Sequence, residues 1–243
     1  MKFFILCLVV FPFCMSCDDA SDISIISGTA NANNYLFTNK IGDVSPANPL
    51  NPFDIAGQVH TELYAAYYED DSLVVDLSDV LHRVLLVSNQ NETFVSLSNT
   101  SYLIDITTLS SLIAQIDCCS AEIIDNSLAT DEAALSLQSF ISTLVPFCEE
   151  EADYSIIHSF ITSYENNVLE SKNIPVLDKQ VILITTSIIR YSTYERKKRP
   201  KKNTDPEWDL MIGNIIGSVD GASEGIETAV LKSLICGIVE NGE

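Results

Sequence analysis

Residues 154–168 read YSIIHSFITSYENNV, and Tyr154, Ile157, Ile161, Tyr164 and Val168 follow one another at steps of three and four. That spacing lines one face of an α-helix, whereas a half-buried strand would alternate. The same period extends in both directions. Upstream, Thr130 before Asp131 and Glu132 opens a helix through Leu135, Phe140, Ile141 and Leu144 that is expected to stop near Pro146. Leu109, Leu112, Ile113 and Ile116 mark another helix. Earlier still, Leu73, Leu77, Val80, Leu81 and Val84 line a helix capped by Asp71 or Ser72. Phe53, Ala56, Val59, Leu63 and Ala66 line one that runs to about Glu69. Asn51 is placed to cap this last helix, Pro52 to occupy its first position and Asp54 to complement its positive end. Downstream, Asp178 caps a helix that is apolar nearly all round over residues 181–184 and at Ile188 and Ile189, as the central helix of a bundle would be. Between residues 88 and 105, polar and β-branched residues predict a loop or small hairpin. The fold class is mainly α, a helical bundle of about six or seven helices.

The C-terminal segment carries a second pattern. Gly213, Gly217, Gly221, Gly225, Ala229, Ser233 and Gly237 put a small residue at every fourth position, flanked by Ile212, Ile216, Val219, Ile226 and Val230. Read as one long helix, these residues form a slowly winding groove that admits another backbone. Glycine costs roughly 1 kcal/mol relative to alanine inside a helix, so Gly213, Gly217, Gly221 and Gly225 require compensation from packing. Close contact with the chain's own apolar helix around residues 181–189 supplies it in one reading, and self-association or membrane entry in the other. Asp220, Glu224, Glu227 and Lys232 favour the first, because each charge costs roughly 2.5–3.5 kcal/mol at a bilayer centre.

The beginning of the chain has a different character. Met1 and Lys2 precede an apolar run from Phe3 to Phe13, followed by Cys14-Met15-Ser16-Cys17 and then Asp18-Asp19. One positive charge, a short apolar core and a small residue before a cysteine make an export signal. The run is too short for a permanent span, which needs roughly 20 apolar residues. Its end resembles a bacterial lipobox, with Ser16 before a lipidated Cys17, although Cys14 stands where an aliphatic residue is usual. Cleavage near Ser16 by an ordinary signal peptidase remains the alternative. From Asp18 to Asn51 the chain is rich in Ser, Asn, Ala, Gly and Pro, which reads as a tether. The expected organisation is a signal peptide over residues 1–16, a lipidated Cys17 and flexible tether over 17–50, and a single helical domain over 51–243.

With 13 basic against 34 acidic residues, the 243-residue chain carries a formal charge of −21. Such a chain repels nucleic acid and anionic head groups, so no nucleic-acid partner is expected and membrane attachment falls to the lipid anchor. Residues 196–202, RKKRPKK, gather much of the basic charge, and Pro200 keeps them out of a helix interior. They read as an exposed connection between the last two long helices.

Chemistry-bearing motifs are sparse. His60 with Asp54 and Glu62 is the best constellation, yet on one helix the three do not converge. A metal or acid-base site would need His82, His158 or further carboxylates brought in by folding. The structural reading has His60 packed at the helix edge, hydrogen-bonded to a neighbouring turn, and His158 partly buried beside the 154–168 seam. Cys118, Cys119, Cys148 and Cys236 permit disulfides in an oxidising compartment. Adjacent Cys118 and Cys119 seldom bridge each other, so a link from that pair to Cys148 is the plausible one, with four buried thiols as the alternative. Asn91-Glu92-Thr93 and Asn99-Thr100-Ser101 match glycosylation acceptors. No nucleophile elbow, phosphate-binding glycine loop, HExxH or CxxC is present.

Asn51-Pro52-Phe53-Asp54, then Gly57 and His60, resembles an N-P-[FY]-D-x-x-G-x-x-H signature that opens the helical part of an uncharacterised bacterial lipoprotein family. Tyr191, Tyr194, Trp208 and the Gly213 repeat stand where that family has a Tyr-rich helix end, a Trp and a Gly-rich tail. The resemblance brings no activity with it. The expectation is an exported, membrane-anchored lipoprotein at the bacterial outer membrane or periplasmic face, acting as a non-catalytic binding or structural module with an envelope protein or glycan as partner and no cofactor. A membrane-active or self-assembling effector using the Gly213 to Gly237 face is the alternative, and a hydrolase around His60 a weaker one.

Overall fold

The computed structural model describes residues 44–69, 76–97, 104–149, 152–198 and 207–240. The expected signal peptide and Cys17, the Asp71 or Ser72 cap, the Asn99 acceptor and the end of the basic stretch lie outside them. The architecture is mainly helical. Among the described residues the helices are α1 (Ile55–Tyr68), α2 (Leu77–Gln90), α3 (Glu92–Leu97), α4 (Ile106–Ile113), α5 (Ile116–Ser127), α6 (Asp131–Glu149), α7 (Tyr154–Glu170), α8 (Val176–Lys198), α9 (Glu207–Ala222) and α10 (Ile226–Glu240).

The core is organised about α8. Every residue from 181 to 190 is buried, and the helix is flanked by α1, α7 and α9. The apolar residues at 181–184, 188 and 189 cover most of its circumference and favour this central place. α10 is nearly as enclosed, packing on α9, α1 and α2. The seam of α7 turns inward, with Tyr154, Ile157, Ile161 and Val168 buried.

The ten helices among the described residues exceed the six or seven expected, and each difference has a local cause. The segment expected as a loop or hairpin contains α3, which Asn91 starts by accepting a hydrogen bond from Phe94 N at 2.7 Å. The residues Leu109, Leu112, Ile113 and Ile116, expected to mark one helix, fall on two, the first of which stops at Ile113. Gln115 N bonds to Leu112 O at 3.0 Å, a tightened last turn, and a new helix, α5, begins at Ile116. α5 escaped the sequence reading because Ile116, Ile123 and Ile124 are its only buried apolar residues. The long C-terminal helix is a hairpin, broken where Gly225 adopts φ 140°.

Other boundaries move for equally simple reasons. α6 continues past Pro146 to Glu149. Pro146 and Ser142 are both exposed, so the Ser142 carbonyl that loses its partner faces water. α2 is capped by Asp76, whose carboxylate accepts from Ser78 N at 2.9 Å. Asn51 caps a leading turn, accepting from Phe53 N at 2.9 Å, before α1 proper starts at Ile55. Residues 46–50, assigned to the tether, are instead built into the domain, with Asn48 5% exposed.

Candidate functional site

The main polar feature lies where this N-terminal segment crosses α7 and α8. Glu165 sits on α7 four residues after Ile161 and three before Val168, hence on the buried seam, and it is fully enclosed. Arg190, equally enclosed, follows Ile188 and Ile189 on α8. Its Nη2 donates to Asp54 Oδ1 at 2.6 Å and to Glu165 Oε1 at 3.2 Å, while Nη1 donates to the Pro46 carbonyl. Two carboxylates on one guanidinium leave an excess negative charge. Neutral donors meet it. Glu165 accepts from Asn48 Nδ2 at 2.6 Å, Asn51 Nδ2 at 2.8 Å and Thr186 Oγ1 at 2.9 Å. Asp54 accepts from Asn48 N and from the Tyr191 hydroxyl, each at 3.1 Å.

The surrounding titratable groups are held neutral. Burial, and then the Asp54 charge, push the Tyr191 phenol up to about 12, so it remains a donor to that carboxylate. Burial likewise raises Tyr154, whose hydroxyl donates to Arg190 O at 3.2 Å. Desolvation, and next the Arg190 charge, lower the pKa of His158. Only Asp54 among the three charged residues retains solvent contact, with a side chain 22% exposed. With every carboxylate oxygen occupied by a donor, the arrangement fastens three chain segments together.

The residues of the N-P-F-D-x-x-G-x-x-H stretch have structural partners. Asn51 also donates to Leu183 O at 2.9 Å, and Gly57 N donates to Ser187 Oγ at 3.0 Å. Ser187 Oγ in turn donates to Asp54 O at 2.9 Å. A Cβ on Gly57 would run into the Ser187 carbonyl, so α1 meets α8 backbone to backbone. His60 is 2% exposed rather than at a helix edge. Neither of its ring nitrogens, nor Asn214 Oδ1, completes a hydrogen bond. Burial lowers the imidazole to about 4, against a smaller opposing pull from the Asn214 side chain. Asp54 is turned to Arg190, and Glu62 accepts from Gln58 and Asn91. His60, Asp54 and Glu62 therefore do not converge on one site, in line with the helix geometry read from the sequence. Among the described residues, no group of three or more His, Cys, Asp or Glu side chains is placed to hold a metal ion.

The small-residue stripe is used within the chain. A Cβ on Gly213 would lie 2.9 Å from Cys236 O, one on Gly217 2.5 Å from Lys232 O, and one on Gly221 2.7 Å from Ala229 Cα. α9 thus touches the backbone of α10, the far half of the stripe itself, and not chiefly α8 as expected. Gly225 has a different task, making the turn at a positive φ. Lys232 ties α10 to the turn end of the hairpin, its Nζ 2.7 Å from both Asp220 Oδ2 and Glu224 Oε1. Burial opposes its charge, but these two carboxylates prevail and its pKa is raised. No helix among the described residues is long and apolar enough to cross a membrane.

The cysteines do not form the expected bridge. Cys118, Cys119 and Cys236 are thiols, and Cys148 is buried with its sulfur 3.8 Å from Met211 Sδ. Gln138 of α6 reaches Ala121 O and Asp125 of α5, which fixes the antiparallel register. Cys148 then lies about 7 Å further along the axis than Cys118, in addition to the spacing between helices. A disulfide needs Cα atoms within roughly 7 Å. Asn91 donates to Glu62 Oε2 at 3.0 Å while capping α3, so its amide is engaged in structure.

Sequence reasoning missed the clamp because its members are scattered from residue 46 to residue 191. One signal was present: a carboxylate at a seam position of α7 and an arginine inside an apolar helix are each costly to bury alone, and each implies the other. No family model matches the chain, and no curated protein or solved structure matches it either.

Proposed function

We propose that this chain is an exported, lipid-anchored protein whose helical domain serves as a non-catalytic binding or structural module of the cell envelope. The observation that carries the reading is the leader: an apolar run from Phe3 to Phe13 ending in Ser16-Cys17, immediately before Asp18-Asp19. The N-P-F-D-x-x-G-x-x-H resemblance supports membership of the lipoprotein family named above. The candidate groups among the described residues are engaged in packing. The carboxylates of the clamp are filled by donors, and His60 is shut away from solvent. The effector alternative loses its main support, because the Gly213, Gly217 and Gly221 face is covered by α10.

Intact mass and detergent partitioning of the cell's own product test the proposal. The expected product begins at Cys17, is heavier by its acyl chains and enters the detergent phase, and Cys17→Ala abolishes both. A water-soluble, unmodified mature chain, or one still beginning at Met1, overturns it.

A further inference from the structure

α8 begins with an apolar pair that projects from the domain. Val176 is 80% exposed and Leu177 71%, the two most exposed large apolar side chains among the described residues, and Pro175 before them is exposed as well. Ile174, immediately upstream, is buried in the core and roots the tip. Two further bonds brace it. Asp178, 2% exposed, accepts from Ala129 N at 2.8 Å, Thr130 N at 3.1 Å and Thr130 Oγ1 at 2.7 Å, which ties this turn to the start of α6. Lys179 Nζ donates to Leu169 O at 2.7 Å and ties it to the end of α7. A tip held this way has little chain left to order when it docks. Its charge also departs from that of the acidic whole. Between residues 171 and 180, Lys172 is exposed, whereas the only carboxylate, Asp178, is turned inward.

We propose that this tip is a second membrane contact, in which Pro175, Val176 and Leu177 enter the boundary between head groups and acyl chains of a zwitterionic bilayer and Lys172 meets lipid phosphate. The inference rests on the reading of Cys17 as an acylated anchor. Residues 18–43, between that anchor and the first described residue, span at most about 90 Å. The described chain begins beside the clamp, where Arg190 holds the Pro46 carbonyl, and Leu177 lies about 20 Å from Arg190 along α8. Anchor and tip therefore reach one bilayer surface with the clamp intact. Once Cys17 is held there the second contact is intramolecular, so three residues suffice that would bind too weakly from solution. Asp131 and Glu132 open α6 next to Thr130, which fits a zwitterionic surface better than an anionic one.

The test reconstitutes the acylated full chain in phosphatidylcholine vesicles, with Cys118→Ser and Cys119→Ser to silence the thiols of α5. Asn173→Cys carries an environment-sensitive fluorophore beside the tip and leaves Pro175, Val176 and Leu177 intact. Thr143→Cys, exposed on α6 about 20 Å from the end that Asp178 caps, carries it in the control. Lipid brominated on its acyl chains should quench the label at 173 at least about 3-fold more than the label at 143. Adding Val176→Asp and Leu177→Asp, at positions already facing solvent, should abolish that difference while the protein still floats with the vesicles. Equal quenching at 173 and 143 in protein that floats overturns the contact, leaves the anchor standing and assigns the tip to a protein partner. Quenching that survives the two aspartates overturns it as well. A chain that does not float with the vesicles overturns the anchor, and this inference with it.

Discussion

The α9–α10 hairpin and the clamp around Arg190 both bring helices into close contact, and they do so with opposite chemistry. In the hairpin, side chains are absent where the backbones meet, so that a Cβ on Gly217 would fall 2.5 Å from Lys232 O. In the clamp, long polar side chains span the gap and satisfy one another at 2.6–3.2 Å. Close apolar contact gains dispersion and burial at every atom. A buried ion pair roughly breaks even against its desolvation, so what it contributes is the geometry it enforces. The hairpin therefore stabilises the domain, and the clamp decides where residues 46–54 dock.

The largest expected effect breaks the clamp on one side. Glu165→Ala leaves Asp54 as the one carboxylate on Arg190, strands the Asn48 amide and removes one of the two acceptors of Asn51, at a cost of about 3–5 kcal/mol in denaturant unfolding. Replacing Glu165 and Arg190 together by Leu and Met should cost less than that single change. A larger cost for the pair would mean that the ions contribute net stability and that the contrast drawn above is wrong.

His60 lies beside the hairpin and makes stability depend on pH. Its folded pKa of about 4 is below the ordinary 6.5, so the unfolded chain binds the proton more readily. Stability from this residue is complete above pH 6.5 and falls by roughly 3 kcal/mol as the pH drops through 4. In His60→Leu the part of the acid sensitivity between pH 6.5 and 4 should vanish. Acid unfolding that is unchanged in that variant would place the sensitivity elsewhere.

How far the sequence discloses each region follows from its spacing. The hairpin's stripe was visible because it repeats every fourth residue over a short stretch, yet its break was not, since Gly225 keeps the period while leaving helical space. The seam of α7 and the apolar α8 were equally plain. Glu165 lies on that seam but is polar, and the apolar pattern passes over it. Asp54 was legible as a residue at a helix start, whereas its real partners, Arg190 and Tyr191, are more than a hundred residues away. The kink at Cys119 and the separate α5 arise from backbone dihedrals that no periodicity encodes.

Two smaller effects sharpen the contrast between backbone-made and side-chain-made contacts. Gly225→Ala forces a Cβ onto φ 140° and should cost about 1–2 kcal/mol, read as a lowered melting temperature with the hairpin otherwise retained. Asn91→Ala removes the cap of α3 and the bond to Glu62, for about 1 kcal/mol. An Asn91→Ala loss exceeding that of Gly225→Ala would show that the side-chain contact matters more than the turn.

The most direct test of the hairpin's closure within one chain is thermal unfolding of wild type and Gly217→Leu across a wide range of protein concentration. The wild-type melting temperature should be independent of concentration, and Gly217→Leu should fail to fold or melt far lower, because α10 has no room to retreat. A wild-type melting temperature that rises with concentration, together with a folded but dissociated Gly217→Leu, would contradict the account and place the glycine face between molecules.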